Sequence, residues 1–404
     1  MRMSRRYISC GTVRPVGRLR RRVTVSVMST VFPAFTAAAG ASDPDASSWP
    51  MFRGQPTQAG LATGNLPERL TVRWCFDAEE AVGSSAAIVG DSVYVGDDMG
   101  FMYAIALDTG KVRWKRQAGE IIRSSPTIVD GMVVFGDDEG KLHALDAKTG
   151  EPRWSYETEA QIVSSTNFDA GRLVVGSYDG SVYCLSAKDG KLHWKHETGG
   201  RVHGTPAIAE GYAIAAGCDE QVHVLKLDTG MPARKISMGS VSGASAAVAG
   251  SHAYVGTYGG SILAIEWKTG SVAWRYKDPE RDFPVLSSAA VTDTAVIVGG
   301  RDKRLHALDR TSGKPLWTFV AKGRIDSSPV VAGSRVYVGS DDGNLYAVEL
   351  TTGKEAWRFE AGAPITASPA VAQGCLVVGT EDGNVYCFGG GHQTLPPKPR
   401  GSGD

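Results

Sequence analysis

The chain has 404 residues, with 43 basic and 43 acidic side chains and no net charge at neutral pH. No basic excess marks it for nucleic acid, and no run of 18 or more apolar residues offers a spanning helix. Fifty glycines fit a turn-dense all-β chain.

Residues 1–41 differ from the rest. RLRRR at 18–22 is a basic block, 23–39 is modestly apolar, and Ala39-Gly40-Ala41 fits a small-x-small cleavage site. The pattern predicts an export signal, hence a periplasmic or cell-envelope protein of a bacterium. Ser4-Arg5-Arg6 lies too far from the apolar segment to serve as a twin-arginine motif, and Cys10 precedes that segment, so it is not placed like a lipoprotein cysteine. Residues 42–69 read as a polar linker and lead-in. Its Trp49-Pro50-Met51-Phe52-Arg53-Gly54 run places Trp49 and Phe52 over one end of whatever follows.

From residue 70 to 388 the chain repeats itself. The clearest copy, 327–359, reads SSPVVAGSRVYVGSDDGNLYAVELTTGKEAWRF. It contains four short runs rich in Val, Tyr and Ala, bounded by Gly, Asp, Ser and Thr, the pattern of β-strands joined by tight turns. Asp-Gly in the SDDGN turn supplies the positive φ of a tight hairpin, so the unit is a four-stranded antiparallel meander. Each unit ends in Gly-x-x-x-Trp. The final positions are Trp74, Trp114, Trp154, Trp194, Arg234, Trp274, Trp317 and Trp357, spaced by 40 residues with a single step of 43. A period near 40 with four strands means a β-propeller. Eight fourth strands and eight sets of the other three are present. The last set, 367–388, lacks its fourth strand, and the first fourth strand, around Trp74, lacks its other three. The expected fold is therefore an all-β, eight-bladed propeller, closed by residues 70–76 joining the last blade so that no edge stays open. From 389 to 404, GGGHQTLPPKPRGSGD predicts a disordered tail.

In a propeller the first strand of each blade lines the central channel, so the residues entering it ring the mouth. Nine residues after the fourth-strand markers stand Gly83, Arg123, Val163, His203, Gly243, Asp326 and Thr366, with Leu286 as the counterpart after the insertion; Gln161, Arg201 and Arg324 stand two residues earlier. Arg123, Gln161, Arg201, His203, Arg324 and Asp326 are the candidate binding residues. The acidic hairpins (Asp97-Asp98, Asp137-Asp138-Glu139, Asp341-Asp342, Glu381-Asp382) are expected on the same face. A basic centre with an acidic rim would suit a carboxylate-bearing ligand or peptide; locally paired charges are the alternative. The paired acids lack the alternate-position spacing of a calcium loop and read as turn chemistry, so no metal site is expected. Cys75 and Cys387 fall on neighbouring strands of the closing blade. They are a disulfide candidate for an exported chain, although the expected register sets them diagonally.

The repeat, with Leu-Tyr-Ala-Val-Glu-Leu-Thr-Thr-Gly-Lys-x-x-Trp closing a blade opened by Ser-Ser-Pro, resembles the PQQ-like (quinoprotein-type) propeller repeat, as do 142–154 and 305–317 and the opening Trp49–Gly54 run. The resemblance covers 49–388. It implies that Trp74, Trp114, Trp154, Trp194, Trp274, Trp317 and Trp357 each dock against a neighbouring blade, an anchor that Arg234 lacks. Two branches share the repeat: quinone-dependent dehydrogenases, and non-enzymatic BamB-like scaffolds of outer-membrane protein assembly. The dehydrogenases hold the quinone against adjacent cysteines beside calcium. Here Cys10, Cys75, Cys184, Cys218, Cys375 and Cys387 include no adjacent pair, and the one insertion is three residues near 281–286. Loops this short favour a surface over a reaction chamber. The expectation is a non-catalytic scaffold with envelope protein partners and no cofactor. The alternatives are a PQQ-dependent or degenerate dehydrogenase and a small-ligand sensor at the channel mouth.

Overall fold

A computed structural model describes residues 47–391; the predicted signal and most of the predicted tail lie outside them. The described chain forms eight four-stranded antiparallel sheets. These are blades 1 to 8: residues 87–117, 127–157, 167–197, 207–237, 247–277, 290–320, 330–360, and 370–389 together with Thr71–Asp77. The last blade takes its outer strand from the start of the chain, Trp74 opposing Cys387 and Phe76 opposing Val385. First strands of successive blades lie side by side, and that of blade 8 meets that of blade 1. The ring is thus a propeller closed by its two ends, and closure removes the exposed sheet edges that would otherwise template aggregation.

Burial follows position within a blade. Second and third strands such as Ser92–Gly96 and Phe101–Ala106 are almost wholly buried, because blades pack on both their faces; fourth strands such as Val112–Gln117 alternate between exposed and half-buried. Each fourth strand carries a bulge one residue before its marker position, and the marker tryptophan then opposes a small side chain: Ala104 for Trp114, Cys184 for Trp194, Ala347 for Trp357. A bulge re-aims the side chains around it, and here it turns the indole toward the next blade.

The docking and the Gly-x-x-x-Trp spacing are one device. Trp317 Nε1 donates to Leu350 O of blade 7 at 2.8 Å, and its ring lies where a Cβ on Gly353 would come within 2.7 Å. Gly353 has φ +70°, so the turn and the indole both require glycine. Trp74, Trp114, Trp154, Trp194 and Trp274 make the same bond to Leu107, Ala147, Ala187, Leu227 and Arg310. Trp357 sits edge-on to Phe388 at 5.6 Å. Blade 4 departs from the pattern. Arg234 is exposed and, among the described residues, donates only to the adjacent Ala233 O. The seam is filled from the other side by Trp267 of blade 5, which is 1 % exposed, packs on Tyr212 of blade 4 at 5.5 Å and gives its Nε1 to Gly250 O. An anchor that the repeat pattern shows as lost is supplied by a tryptophan outside that pattern.

The Cys75–Cys387 disulfide does not form; both are free thiols. Cys75 opposes Tyr386 whereas Cys387 opposes Trp74, so the two cysteines point to opposite faces of the sheet. Cys387 shares its face with Cys375, since Val377 opposes Cys387. The bulge residue Arg73 reaches across to place Nη1 2.8 Å from Cys375 Sγ. A hydrogen bond from Cys387 and, after it, that guanidinium lower the Cys375 thiol pKa against the burial that would raise it, and Cys387 is raised as the partner that keeps its proton.

Candidate functional site at the channel

The lead-in does more than cover the ring. Trp49 exchanges two backbone bonds with Ile88 of blade 1, and the carbonyls of Pro50, Pro56, Thr57, Ala59 and Gly60 accept N–H groups from Ile128, Ile208, Val248, Val291 and Val331. Asn167 Nδ2 also donates to Pro56 O. The segment therefore tracks the first strands of blades 1 to 7 in order. Its Arg53 and Gln58 are 1 % and 0 % exposed, which seals that end of the channel.

Three residues nearer the mouth on each first strand lies a ring of hydroxyls. The backbone N–H of Ser85 donates to Ser125 Oγ, Ser125 to Ser165, Ser165 to Thr205 Oγ1, Thr205 to Ser245, Ser245 to Ser288, Ser288 to Ser328, Ser328 to Ser368, and Ser368 back to Ser85, all at 2.8–3.1 Å. This collar explains the Ser-Ser openings. The first serine pins its own blade, as Ser84 Oγ does by bonding both N and O of Gly96; the second joins neighbouring blades. All eight collar residues line a cavity of about 320 Å³ whose wall includes Phe52 of the lead-in.

Above the collar, the same cavity is lined by Gly83, Arg123, Val163, His203, Gly243, Leu286, Asp326 and Thr366, the positions found by aligning the repeats. Gln161, Arg201 and Arg324 do not line it. Their carbonyls instead accept the N–H of Tyr178, Cys218 and Asp341, fixing the hairpins between second and third strands. The residue so held in each hairpin forms an outer ring: Asp98, Asp138, Tyr178, Cys218, Tyr258, Arg301, Asp341 and Glu381. Sequence reasoning noticed the acids and missed the ring, because only the backbone bond marks the shared position.

The mouth charges are largely paired. Arg123 contacts Asp138 at 2.9 Å, Arg324 contacts Asp341 at 2.7 Å, and Arg301 clasps Asp326 through both Nε and Nη2. Thr366 Oγ1 donates to Glu381. Burial raises the Asp98 and Asp138 carboxyls, opposed by Arg123. His203, bonded through Nδ1 to the Tyr178 hydroxyl, has its pKa lowered by burial and then by the Arg123 charge. The basic centre with an acidic rim is thus a set of ion pairs. The two halves of the mouth also differ. Blades 7, 8, 1 and 2 present acids. Blades 3 to 5 present Tyr178, with the Arg201 guanidinium over its ring at 5.2 Å, and the exposed Tyr258. The inserted Phe283, in the segment leading into blade 6, is 47 % exposed, with its backbone against Gly260 of the hairpin that carries Tyr258.

The remaining acids of the hairpins serve the turns. Asp97 accepts from the N–H groups of Met99 and Phe101 and from the Tyr103 hydroxyl. Asp137–His143, Asp219–His223 and Asp302–His306 repeat this link with histidine. Among the described residues one group has the spacing of metal ligands, Asp278 with Asp302 and His306. Two of its three members are the pair that other blades use structurally.

The family described as outer membrane protein assembly factor BamB matches residues 68–169, 163–301 and 301–389. Among solved structures, BamB from Moraxella catarrhalis is 21 % identical, covering 80 % of this chain and 100 % of that one with a TM-score of 0.69. Quinohemoprotein alcohol dehydrogenase from Comamonas testosteroni is 14 % identical over 86 % of this chain and 82 % of that one, TM-score 0.75. A computationally designed protein, Ika8, is 18 % identical over 77 % and 97 %, TM-score 0.69. At such identities the structural likenesses show the fold alone. Among curated proteins no significant match is found.

Proposed function

This chain belongs to the family of outer membrane protein assembly factor BamB, and from that premise we propose that it is an exported, non-catalytic scaffold whose mouth face docks a protein partner of the bacterial envelope. The supporting observation is the aromatic half of the mouth: Tyr178 of blade 3 under Arg201, exposed Tyr258 of blade 5, and exposed Phe283 in the segment leading into blade 6. Tyrosine, phenylalanine and arginine are enriched at protein interfaces and dominate their hot spots. The hairpins carrying the two tyrosines are short and tied by backbone bonds to the neighbouring segment, so little ordering entropy is lost on docking. The acidic half sets orientation by charge. No redox cofactor takes part in this reading.

The test is mild crosslinking and pull-down of the exported protein from its native envelope, with the absorbance of the same sample read for a chromophore. Recovery of barrel-assembly proteins without a chromophore, lost in the Tyr258→Ala/Phe283→Ala double variant, is the expected result. A bound quinone with alcohol-oxidising activity and no stable partner would sink the scaffold reading.

A further inference from the structure

One Asp–His pair of the ring has a neighbour that the others lack. Asp137–His143, Asp219–His223 and Asp302–His306 each tie a hairpin to the third strand of its own blade. Four residues after the marker of the preceding blade stand Ala118 and Thr198 for the first two pairs, and Asp278 for the third. The other five such positions hold Ala78, Thr158, Met238, Ala321 and Ala361. Only Asp278 carries a charge there, and it stands just before the one insertion of the ring.

The ligand-type atoms of Asp278, Asp302 and His306 all lie within 4.8 Å of one another. Asp278 Oδ1 accepts the Glu280 N–H at 2.9 Å, which fixes that carboxylate. The Asp302 and His306 side chains are 4 % and 6 % exposed, with His306 Nε2 2.9 Å from Asp302 Oδ2. The three residues line a cavity of about 10 Å³, about the room that one water or one small ion needs. The charges of its wall are the two carboxylates and Arg281, which is exposed. Lys277 is drawn off to Asp282 at 3.0 Å. In blade 4 a lysine serves the corresponding acid, Lys235 lying 3.4 Å from Asp219. Among the described residues no lysine or arginine forms an ion pair with Asp278 or Asp302.

Two carboxylates against one exposed arginine leave a net negative charge around a space of single-ion size. An anion would be repelled, and water would hydrate the acids without neutralising them. One imidazole and two carboxylates, with no thiolate, suit a first-row divalent ion such as Zn²⁺ or Mn²⁺; calcium and magnesium favour oxygen ligands alone. To ligate, the neutral imidazole carries its hydrogen on Nδ1, and Nε2 turns its lone pair to the ion in place of the bond to Asp302.

We propose that Asp278, Asp302 and His306 form a divalent-cation site across the seam between blades 5 and 6, with water completing the coordination. The ion ties the start of the insertion to blade 6 and so steadies Phe283, which borders the same cavity. The site does not depend on the scaffold reading.

Calorimetric titration of the untagged full chain, stripped of metal with a chelator, with Zn²⁺ and separately with Mn²⁺ tests it. One saturable site per chain is expected for at least one of them. Asp278→Ala installs the residue that four other blades carry at this position, so the variant should fold. Loss of a residue that merely supports a ligand costs about 10–100-fold in metal affinity, so loss of Asp278 should weaken binding at least about tenfold. His143→Gln, which breaks the corresponding pair of blade 2, should leave binding unchanged. The ion should also raise the unfolding temperature of the wild type and not that of Asp278→Ala. No saturable binding of either ion, or binding that survives Asp278→Ala unchanged, would overturn the proposal. Crystals grown with the ion that binds give a second readout. An anomalous peak between the three side chains supports the site, and peaks only elsewhere refute it.

Discussion

The seam between blades 4 and 5 offers the sharpest test of how the ring is held. Elsewhere a fourth-strand tryptophan crosses the seam; here Arg234 stays in solvent and Trp267 crosses from the opposite blade. Removing the indole with Trp267→Ala exposes or voids about 200 Å² of buried aromatic surface, worth about 5 kcal/mol at ~25 cal/mol/Å². It also loses the Nε1 bond to Gly250 O, about 1 kcal/mol net. Large-to-small aromatic truncations in cores cost about 3–5 kcal/mol, so a loss of about 4 kcal/mol is expected. Arg234→Trp alone restores the repeat pattern but adds a second indole to a filled seam, and overpacking costs about 1–3 kcal/mol. Arg234→Trp with Trp267→Leu should recover most of the loss, because leucine occupies the matching position as Leu107, Leu227 and Leu350. The assay is urea unfolding followed by far-UV circular dichroism, since fluorescence would report the altered tryptophans themselves. The two substitutions should couple favourably by about 1–3 kcal/mol. Additive effects, or a stabilising Arg234→Trp single variant, would refute the claim that the two side chains compete for one space.

Three further outcomes follow from the same contacts. Gly353→Ala brings a Cβ to 2.7 Å from Trp317 at φ +70°, whereas at Gly270 the nearest atoms are 3.7 Å away with φ +89°. Thermal unfolding should show Gly270→Ala losing only the left-handed backbone penalty of about 1–2 kcal/mol and Gly353→Ala losing clearly more; equal losses would remove the tryptophan from the explanation. Cys375 has its thiol pKa depressed by Cys387 and Arg73, so its contribution to stability is full above the ordinary thiol range and is lost as pH falls through the lowered value. Thiolate absorbance at 240 nm should therefore persist at neutral pH in the wild type and vanish in Arg73→Gln; no thiolate signal at neutral pH in the wild type would contradict the pairing. His203 is held neutral by burial and by Arg123. Below the ordinary histidine range the unfolded chain takes up a proton that the folded chain refuses, so stability falls as pH drops. His203→Gln should flatten that part of the pH–stability curve, and an unchanged slope would place the histidine in a more solvated setting.

What could be read from the sequence was whatever recurs. Period, strand number, the borrowed outer strand and the eight positions around the mouth all emerge from superposing one unit on the next, because each blade solves the same packing problem with the same residues. What escaped was either unique to one blade or carried by the backbone. Trp267 compensates for Arg234 from a different repeat position, the one that holds Leu107 and Leu227 in other blades, so counting the marker tryptophans registers a loss and misses the replacement. Cys75 and Cys387 looked like a staple, yet a one-residue shift in register sends two side chains to opposite faces, and the bulge at Arg73 lies just before both pairings. The outer mouth ring joins aspartate, tyrosine, cysteine, arginine and glutamate at one position, where only a shared N–H to carbonyl bond makes them equivalent. The collar was visible as Ser-Ser-Pro, a family signature with no stated purpose. Its purpose follows from ring closure, since eight blades meet at an axis where each first strand would leave an N–H without a sheet partner, and a hydroxyl on the next blade is the nearest acceptor. The same closure that stabilises the ring thereby lines one cavity at the axis with eight hydroxyl groups.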